Sequence, residues 1–543
     1  MNPLTLTDSY KLSHKGFMEP GTEFIYSNMT ARSAKHLDLP SFDGKVVVYG
    51  LQHTILDVLV TEFNNGFFKL PKAHAVDLAA NLFQGYVGMT EKGHFEDLYD
   101  LGYLPIEVKA LPEGTLCPLR VPMYTIKNTH SDFAWLTNYL ETVMSAETWK
   151  APTVATIIYH YRKLINRYAE LTTGSTEGTE FQLHDFSFRG MSNRFDAAKS
   201  GSAFLLSSCG TDNIPALPFI EKYYGVGVSD DFIATSVPAS EHSLASTGIA
   251  VRGELEMLRK WITKDYPTGI VSVISDTFDF WKVITDYAVQ LKDDILDRTP
   301  NELGLAKVVF RPDSGDPVKI VTGYKCAKIP HYITGSAFNE ELDNLSWAFE
   351  AVEYKGSFYE IDVNGGAMGY HKLGKELKEC EVKGAIQVLW DNFGGTETEQ
   401  GYKVLNERVG LIYGDSMNYE RIEAICLRLA DKGFASTNVI FGVGSFTMQY
   451  MTRDTLGMAV KATYAEVNGQ GYELSKDPIT DDGTKKSAKG LLRVDYDENG
   501  EIALFDQQTK EQESQGLLET VFKDGKVLKQ ETFTEVRNRL WNT

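Results

Sequence analysis

KVVFRPDSGDP, residues 307–317, decides the fold. Its first half is an apolar, β-branched run that reads as a buried strand; its second half is a polar turn carrying Arg311, Asp313 and Ser314. Five other stretches repeat the design: FQLHDFSFRG from Phe181, ATSVPASEHS from Ala234, IVSVISDTFDF from Ile270, RVGLIYGDS from Arg408 and NVIFGVGSF from Asn438. Intervals with apolar residues at 3–4 spacing lie over 151–171, 250–263, 278–297 and 418–433, the last stopped by Gly433. Strands alternating with helices of this length predict parallel βα units curled into a barrel. Polar residues at the carboxyl ends of buried strands then place the active site at the mouth of that barrel.

On either side of this rhythm the pattern changes. Residues 1–150 mix helical and β-type runs, among them KVVVYGLQ (45–52) and IEVKALP (106–112). After about 460, LLRVDYDENGEIALFD and LETVFKDGKVLKQE carry Asn-Gly and Asp-Gly turns, which predict two hairpins. So small a β-rich tail buries little alone. The expected architecture is therefore α/β: an incomplete β/α barrel over 151–459, and one discontinuous β-rich α+β domain from 1–150 and 460–543. Between about 323 and 400 the barrel rhythm lapses into a Gly-, Glu- and Lys-rich stretch, read as an elaboration between two barrel strands.

Composition narrows the function. The 543 residues carry 54 Lys+Arg against 74 Asp+Glu, a formal net charge of −20, which argues against nucleic-acid or anionic-membrane partners. Five cysteines stand far apart without a C-x-x-C pair, so neither a disulfide framework nor a zinc site is indicated. The amino terminus lacks a basic region followed by an apolar core, and no run approaches 18 apolar residues, so a cytoplasmic protein is expected. P-loop, first-strand G-x-G-x-x-G, H-E-x-x-H and G-x-S-x-G signatures are all missing, which disfavours P-loop kinases, Rossmann dehydrogenases, zincins and α/β-hydrolases.

Each polar strand end has two readings. In RPDSGDP, Arg311 offers a donor fork for phosphate or carbonyl and Asp313 a seat for Mg²⁺ or a hydroxyl, but an arginine-capped turn has the same letters. IYGDS and FGVGS place glycines where a backbone can approach phosphate, or simply where a loop turns. His242 beside Glu241 suits a general base or a phosphate acceptor, or a structural hydrogen bond. Phe186, Phe188 and Arg189 can stack a flat heterocycle and hold an anion, or fill a core. Asp212 in CGTDN is a ligand or a helix cap on a turn. A Schiff-base aldolase would want a lysine at a strand end, and the motifs contain none there.

Taken in order, TDSYKLSH (7–14), YGLQ (49–52), LPIEVKALPEG (104–114), WLTNYLET (135–142), PTVAT (152–156), LHDFSFRG, GTDN, SVPASEHS, SVISDTFD, RPDSGDP, GDS, FGVGS, MTRD (451–454) and SKDP (475–478) resemble the nicotinamide phosphoribosyltransferases, of the type II phosphoribosyltransferase family. The matches span nearly the whole chain; the long 323–400 segment and the glycine-poorer FGVGSF depart from the family pattern.

The resemblance implies a homodimer that joins nicotinamide to 5-phosphoribosyl-1-diphosphate, giving nicotinamide mononucleotide and diphosphate, with Mg²⁺ and with ATP as energy-coupling co-substrate. It implies that Phe186 stacks the pyridine against Tyr10 of the other subunit and that Asp212 accepts from the carboxamide. Ser236, Val237, Ala239, Ser272 and Arg311 would line the ring pocket and its tunnel. Gly414 and Asp415 would hold the ribose hydroxyls, and Gly444 and Ser445 the 5-phosphate. Arg32, Arg453 and Lys461 would meet phosphate and diphosphate, with Arg189 close by. His242 would accept phosphate from ATP, with Asp276 and Asp313 ordering it and the metal, Asp313 being the candidate Mg²⁺ contact. The alternative is a nicotinate phosphoribosyltransferase, which a carboxylate at 212 disfavours because it repels the acid.

Overall fold

A computed structural model describes residues 1–362, 372–414, 417–476 and 488–542. Its centre is a curled sheet of six parallel strands, in the spatial order Gly210–Thr211, Leu183–Asp185, Val439–Val443, Val409–Tyr413, Ala306–Arg311 and Gly269–Ile274. Register is uniform along it: Val308 pairs with Val271, Leu411 with Phe310 and with Val439. Four of the six predicted runs supply the long strands and Leu183–Asp185 is a short fifth.

The remaining run differs from expectation. Ala234–Ala239 joins no ladder; single parallel bridges tie Thr235 to Gly210 at one sheet edge and Ala239 to Ser272 at the other. It spans the gap in the half-barrel as an extended strap, because Pro238 has no N–H to donate to a ladder. The sixth strand is instead Gly210–Thr211, inside the segment read as a turn; two residues are too short for any periodicity to register.

Helices pack outside the sheet and share its core. The longest, Lys150–Thr173, is buried on all sides over 151–161, buries one face after that, and ends at Gly174 in the left-handed region. The helix expected over 250–263 begins earlier, at His242, and breaks at Gly253 (φ 81°) before Glu254–Lys260.

Both chain ends build the second body. Its seven-stranded antiparallel sheet runs Gln470–Glu473, Ala459–Val467, Thr22–Thr30, Pro122–Asn128, Ile106–Ala110, Glu519–Lys523 and Lys526–Val527. Asp524 and Gly525 both take positive φ, the signature of the tight turn that the Asp-Gly pair predicts. Leu491–Tyr496 and Ile502–Gln508 form the other hairpin. A core separate from the barrel's lies beneath this sheet. The last helix, Phe533–Trp541, crosses over and buries Phe533, Val536 and Leu540 in the barrel core.

Within 323–400, strands Cys326–Ile329, Ala351–Tyr354, Ser357–Asp362 and Lys372–Leu377 form a small sheet with its own apolar cluster around Leu342. All five cysteines are free thiols. No helix among the described residues is long and apolar enough to cross a membrane.

Candidate active site

Alternation along the barrel strands sorts their side chains. On Ala306–Arg311, residues 307, 309 and 311 face inward, and the same parity turns Ser272, Ile412, Ile440 and His184 toward the axis. A barrel of this kind normally fills its axis with bulky side chains. Here glycine stands at inward positions 210, 410 and 442, and the axis stays open as a tunnel of about 360 Å³. Gly442 is required by contact: a Cβ there would lie 2.5 Å from the ring of Phe186.

The tunnel is apolar below and polar above. Ser236, Val237 and Ala239 of the strap form one wall with Ser272, and Val309, Ile412 and Ile440 the other. At the carboxyl ends of the strands it meets a polar cleft of about 370 Å³. Phe186, Asp212 and Arg311 line both spaces and so form the neck between them. Arg189, Asp313, Gly414, Gly444 and Ser445 line only the cleft. Ser445 approaches so near Gly190 that a Cβ at 190 would overlap its hydroxyl. Asp415 lies outside the described residues.

Two histidine–carboxylate pairs stand at this mouth. His184 Nε2 is 2.9 Å from Oδ1 of Asp212, and the Ser236 hydroxyl donates to the same oxygen at 2.6 Å. Burial alone would raise the Asp212 acid, but these two bonds and the charges of His184 and Arg311 hold it below the usual carboxylate range. The second pair is His242 Nε2 and Asp276 Oδ1, 3.0 Å apart. The other oxygen of Asp276 accepts from the Asp313 amide at 2.9 Å and the Ser314 hydroxyl at 2.6 Å. One carboxylate thus positions both His242 and the RPDS turn.

Supporting residues lie beneath. Asp185, fully buried, accepts from the Ser187 amide and the Asn213 side chain, locking the Phe186 loop to the Asp212 turn. Asp196 gathers Lys150, Ser192 and Gln449, tying the helix Ser445–Gln449 to the 190 loop. Both were missed in the sequence because each joins segments far apart in the chain. Lys307 was missed too, although the alternation through Val309 to Arg311 points it inward. It lies at the opposite end of its strand from the cleft, and burial holds its amine below the usual lysine range.

Tyr10, Arg32, Arg453 and Lys461 line neither space in their own chain. They gather on the second body, where Lys461 approaches Glu141 at 3.8 Å and Lys11 lies 5.6 Å from the Tyr10 ring centre. Burial lowers the Lys461 amine, and Arg32, Lys476 and Arg453 press it lower still. Lys476, from the SKDP stretch, belongs with this cluster.

Residues 181–526 match the nicotinate phosphoribosyltransferase (NAPRTase) family. The chain is 47% identical over 546 residues to a nicotinamide phosphoribosyltransferase of Acinetobacter baylyi, covering 99% of this chain and 97% of that one. It is 31% identical to the enzyme of that name from Mycoplasma pneumoniae, over 90% and 94% of the two chains. Among solved structures, human nicotinic acid phosphoribosyltransferase superposes with a TM-score of 0.51 at 15% identity, over 98% of this chain and 92% of that one, a likeness of fold. This chain is a phosphoribosyltransferase and belongs to the nicotinate phosphoribosyltransferase family.

Proposed function

We propose that the enzyme transfers the phosphoribosyl group of 5-phosphoribosyl-1-diphosphate to nicotinamide, giving nicotinamide mononucleotide and diphosphate for NAD salvage. The observation that carries this reading is Asp212 at the neck, an acid held ionised where the base would pass from tunnel to cleft. An ionised carboxylate accepts from the carboxamide NH₂ and repels the carboxylate of nicotinate. The curated relatives that the chain matches carry the same activity in their names.

In this reading Phe186 stacks the pyridine. The ring nitrogen's lone pair forms the bond to C1 of the ribose as the C1–oxygen bond to diphosphate breaks, and diphosphate leaves with that electron pair. The cleft residues Arg189, Arg311, Gly444 and Ser445 hold the phosphates, and donors aimed at the departing charge lower the barrier. Among the described residues no group of three His, Cys, Asp or Glu side chains could hold a metal. That fits Mg²⁺ carried mainly by diphosphate, with Asp313 as the protein contact, since Mg²⁺ keeps waters and substrate phosphates as ligands. When bound it neutralises charge on the leaving group.

His242 is the phosphate acceptor from ATP. Asp276 occupies its Nε2, which leaves Nδ1 as the nucleophilic nitrogen. The enzyme works as a homodimer in which Tyr10, Arg32, Arg453 and Lys461 of one subunit complete the cleft of the other. Two features support this: Arg32, Lys476 and Arg453 crowd positive charge around the half-buried Lys461 amine, and Phe446 and Tyr450 stack at the rim, 62% and 83% exposed.

The test is a side-by-side assay of both bases with 5-phosphoribosyl-1-diphosphate. A preference for nicotinamide in kcat/KM of about 100-fold or more is expected; equal use or a preference for nicotinate overturns the reading. Replacing His242 by Ala should abolish ATP hydrolysis and leave some ATP-independent synthesis.

A further inference from the structure

Asp212 can select a base only if it stays charged and points one oxygen at the ring pocket. Its surroundings oppose the first condition, because the tunnel below is walled by Val309, Ile412 and Ile440 and burial favours the neutral acid. A neutral Asp212 could donate a hydrogen bond to the carboxylate of nicotinate, and the discrimination would vanish.

Three groups face Asp212: His184 from the strand Leu183–Asp185, Ser236 from the strap, and Arg311 across the neck. Among the described residues, His184 and Ser236 are the side chains that hydrogen-bond its carboxylate, and both reach Oδ1. An ionised carboxylate only accepts, so the 2.9 Å contact assigns the proton to His184 Nε2. His184 packs its ring 4.7 Å from that of Phe186, and glycine at 210 makes room for its Nδ1 edge, since a Cβ there would sit 2.8 Å from that atom. The other carboxylate near the ring is Asp185, whose hydrogen bonds go to Ser187 and Asn213.

We infer that His184 is a positioning residue for base selection: with Ser236 it saturates Oδ1 of Asp212, so that an ionised Oδ2 alone is presented to the carboxamide. The inference rests on the base-selection reading above. It makes nicotinamide preference a property of the 184–212–236 triad, not of the aspartate by itself.

The experiment measures kcat/KM for nicotinamide and nicotinate between pH 6 and 8 in the full-length enzyme and its variants. His184→Phe should raise KM for nicotinamide about tenfold, the worth of one hydrogen bond to a charged group, with kcat changed less. Its nicotinate-to-nicotinamide ratio should climb as pH falls, because the unbonded acid protonates more readily. His184→Gln, which keeps an N–H donor, should hold the wild-type ratio across the range. Ser236→Ala should shift the ratio in the same direction by less, and serves if the Phe variant does not fold. Asp212→Asn separates the two levels. If it leaves the base ratio unchanged, the reading of Asp212 fails and this inference with it. If it shifts the ratio while His184→Phe and Ser236→Ala keep the wild-type pH profile, only the inference is overturned. A uniform loss with both bases at every pH, shared by His184→Gln, would make His184 merely structural and overturn it equally.

Discussion

The two histidine–carboxylate pairs at the barrel mouth have nearly the same length and opposite sense. At the neck the carboxylate is presented: Asp212 is 43% exposed and its histidine 12%. At the rim the histidine is presented: His242 is 50% exposed and Asp276 4%. One contact therefore serves two chemistries, and which partner is buried decides which. In the proposed reaction, a buried imidazole donating to an open acid would keep that acid charged for a neutral base. A buried acid accepting from an open imidazole would fix one ring nitrogen and leave the other to attack phosphorus.

The sharpest way to break this contrast is at the buried member of the rim pair. Asp276→Ala removes the hold on His242 together with the acceptor for the Asp313 amide and the Ser314 hydroxyl. ATP hydrolysis and histidine phosphorylation should fall by about 10²–10⁴, the usual worth of a positioned acid–base partner. The nicotinamide-to-nicotinate ratio should stay as in the wild type. A changed ratio would mean the two pairs act as one network. Gly442→Ala tests the neck from the other side. Its Cβ would press 2.5 Å from the Phe186 ring, so KM for nicotinamide should rise about 10- to 100-fold, with KM for 5-phosphoribosyl-1-diphosphate within about threefold. If both constants rise together, the ring pocket and the phosphate cleft are less separate than the neck suggests.

Much of this contrast was legible in the chain and some of it was not. The strands carrying Ser272, Arg311, Gly414 and Gly444 were readable because long apolar runs end in polar turns. The strand beneath Asp212 was not, since Gly210–Thr211 offers no period and is held by neighbours on both sides. The role of His184 was hidden by the 28 residues that separate it from its partner. His242 looked like a loop residue, yet it opens a helix whose break at Gly253 blurs the periodicity that follows. Tyr10, Arg32, Arg453 and Lys461 were named on the resemblance alone; nothing local to those residues ties them to a barrel that they do not line.

Glu113, fully buried, shows what a carboxyl does without a cation at its oxygens. Glu113 accepts from the Gln52 amide at 2.7 Å and the Tyr224 hydroxyl at 2.8 Å, both neutral donors, where the second body meets the barrel. Burial outweighs them, and with Glu531 nearby the acid is pushed up to about 7 from an ordinary 4.5. A raised acid is most at home protonated. Its contribution to stability is therefore complete below about pH 4.5 and is lost as pH rises to about 7, the reverse of the Asp212 case. Glu113→Gln carries no proton to lose. The variant should gain on the wild type as pH rises from 5 to 8, by about 1–2 kcal/mol in urea unfolding, while kcat/KM stays within about twofold. A gap independent of pH would mean that Glu113 is charged in the fold. The imidazole at Asp212 would then not be what separates the charged acid at the neck from a neutral one.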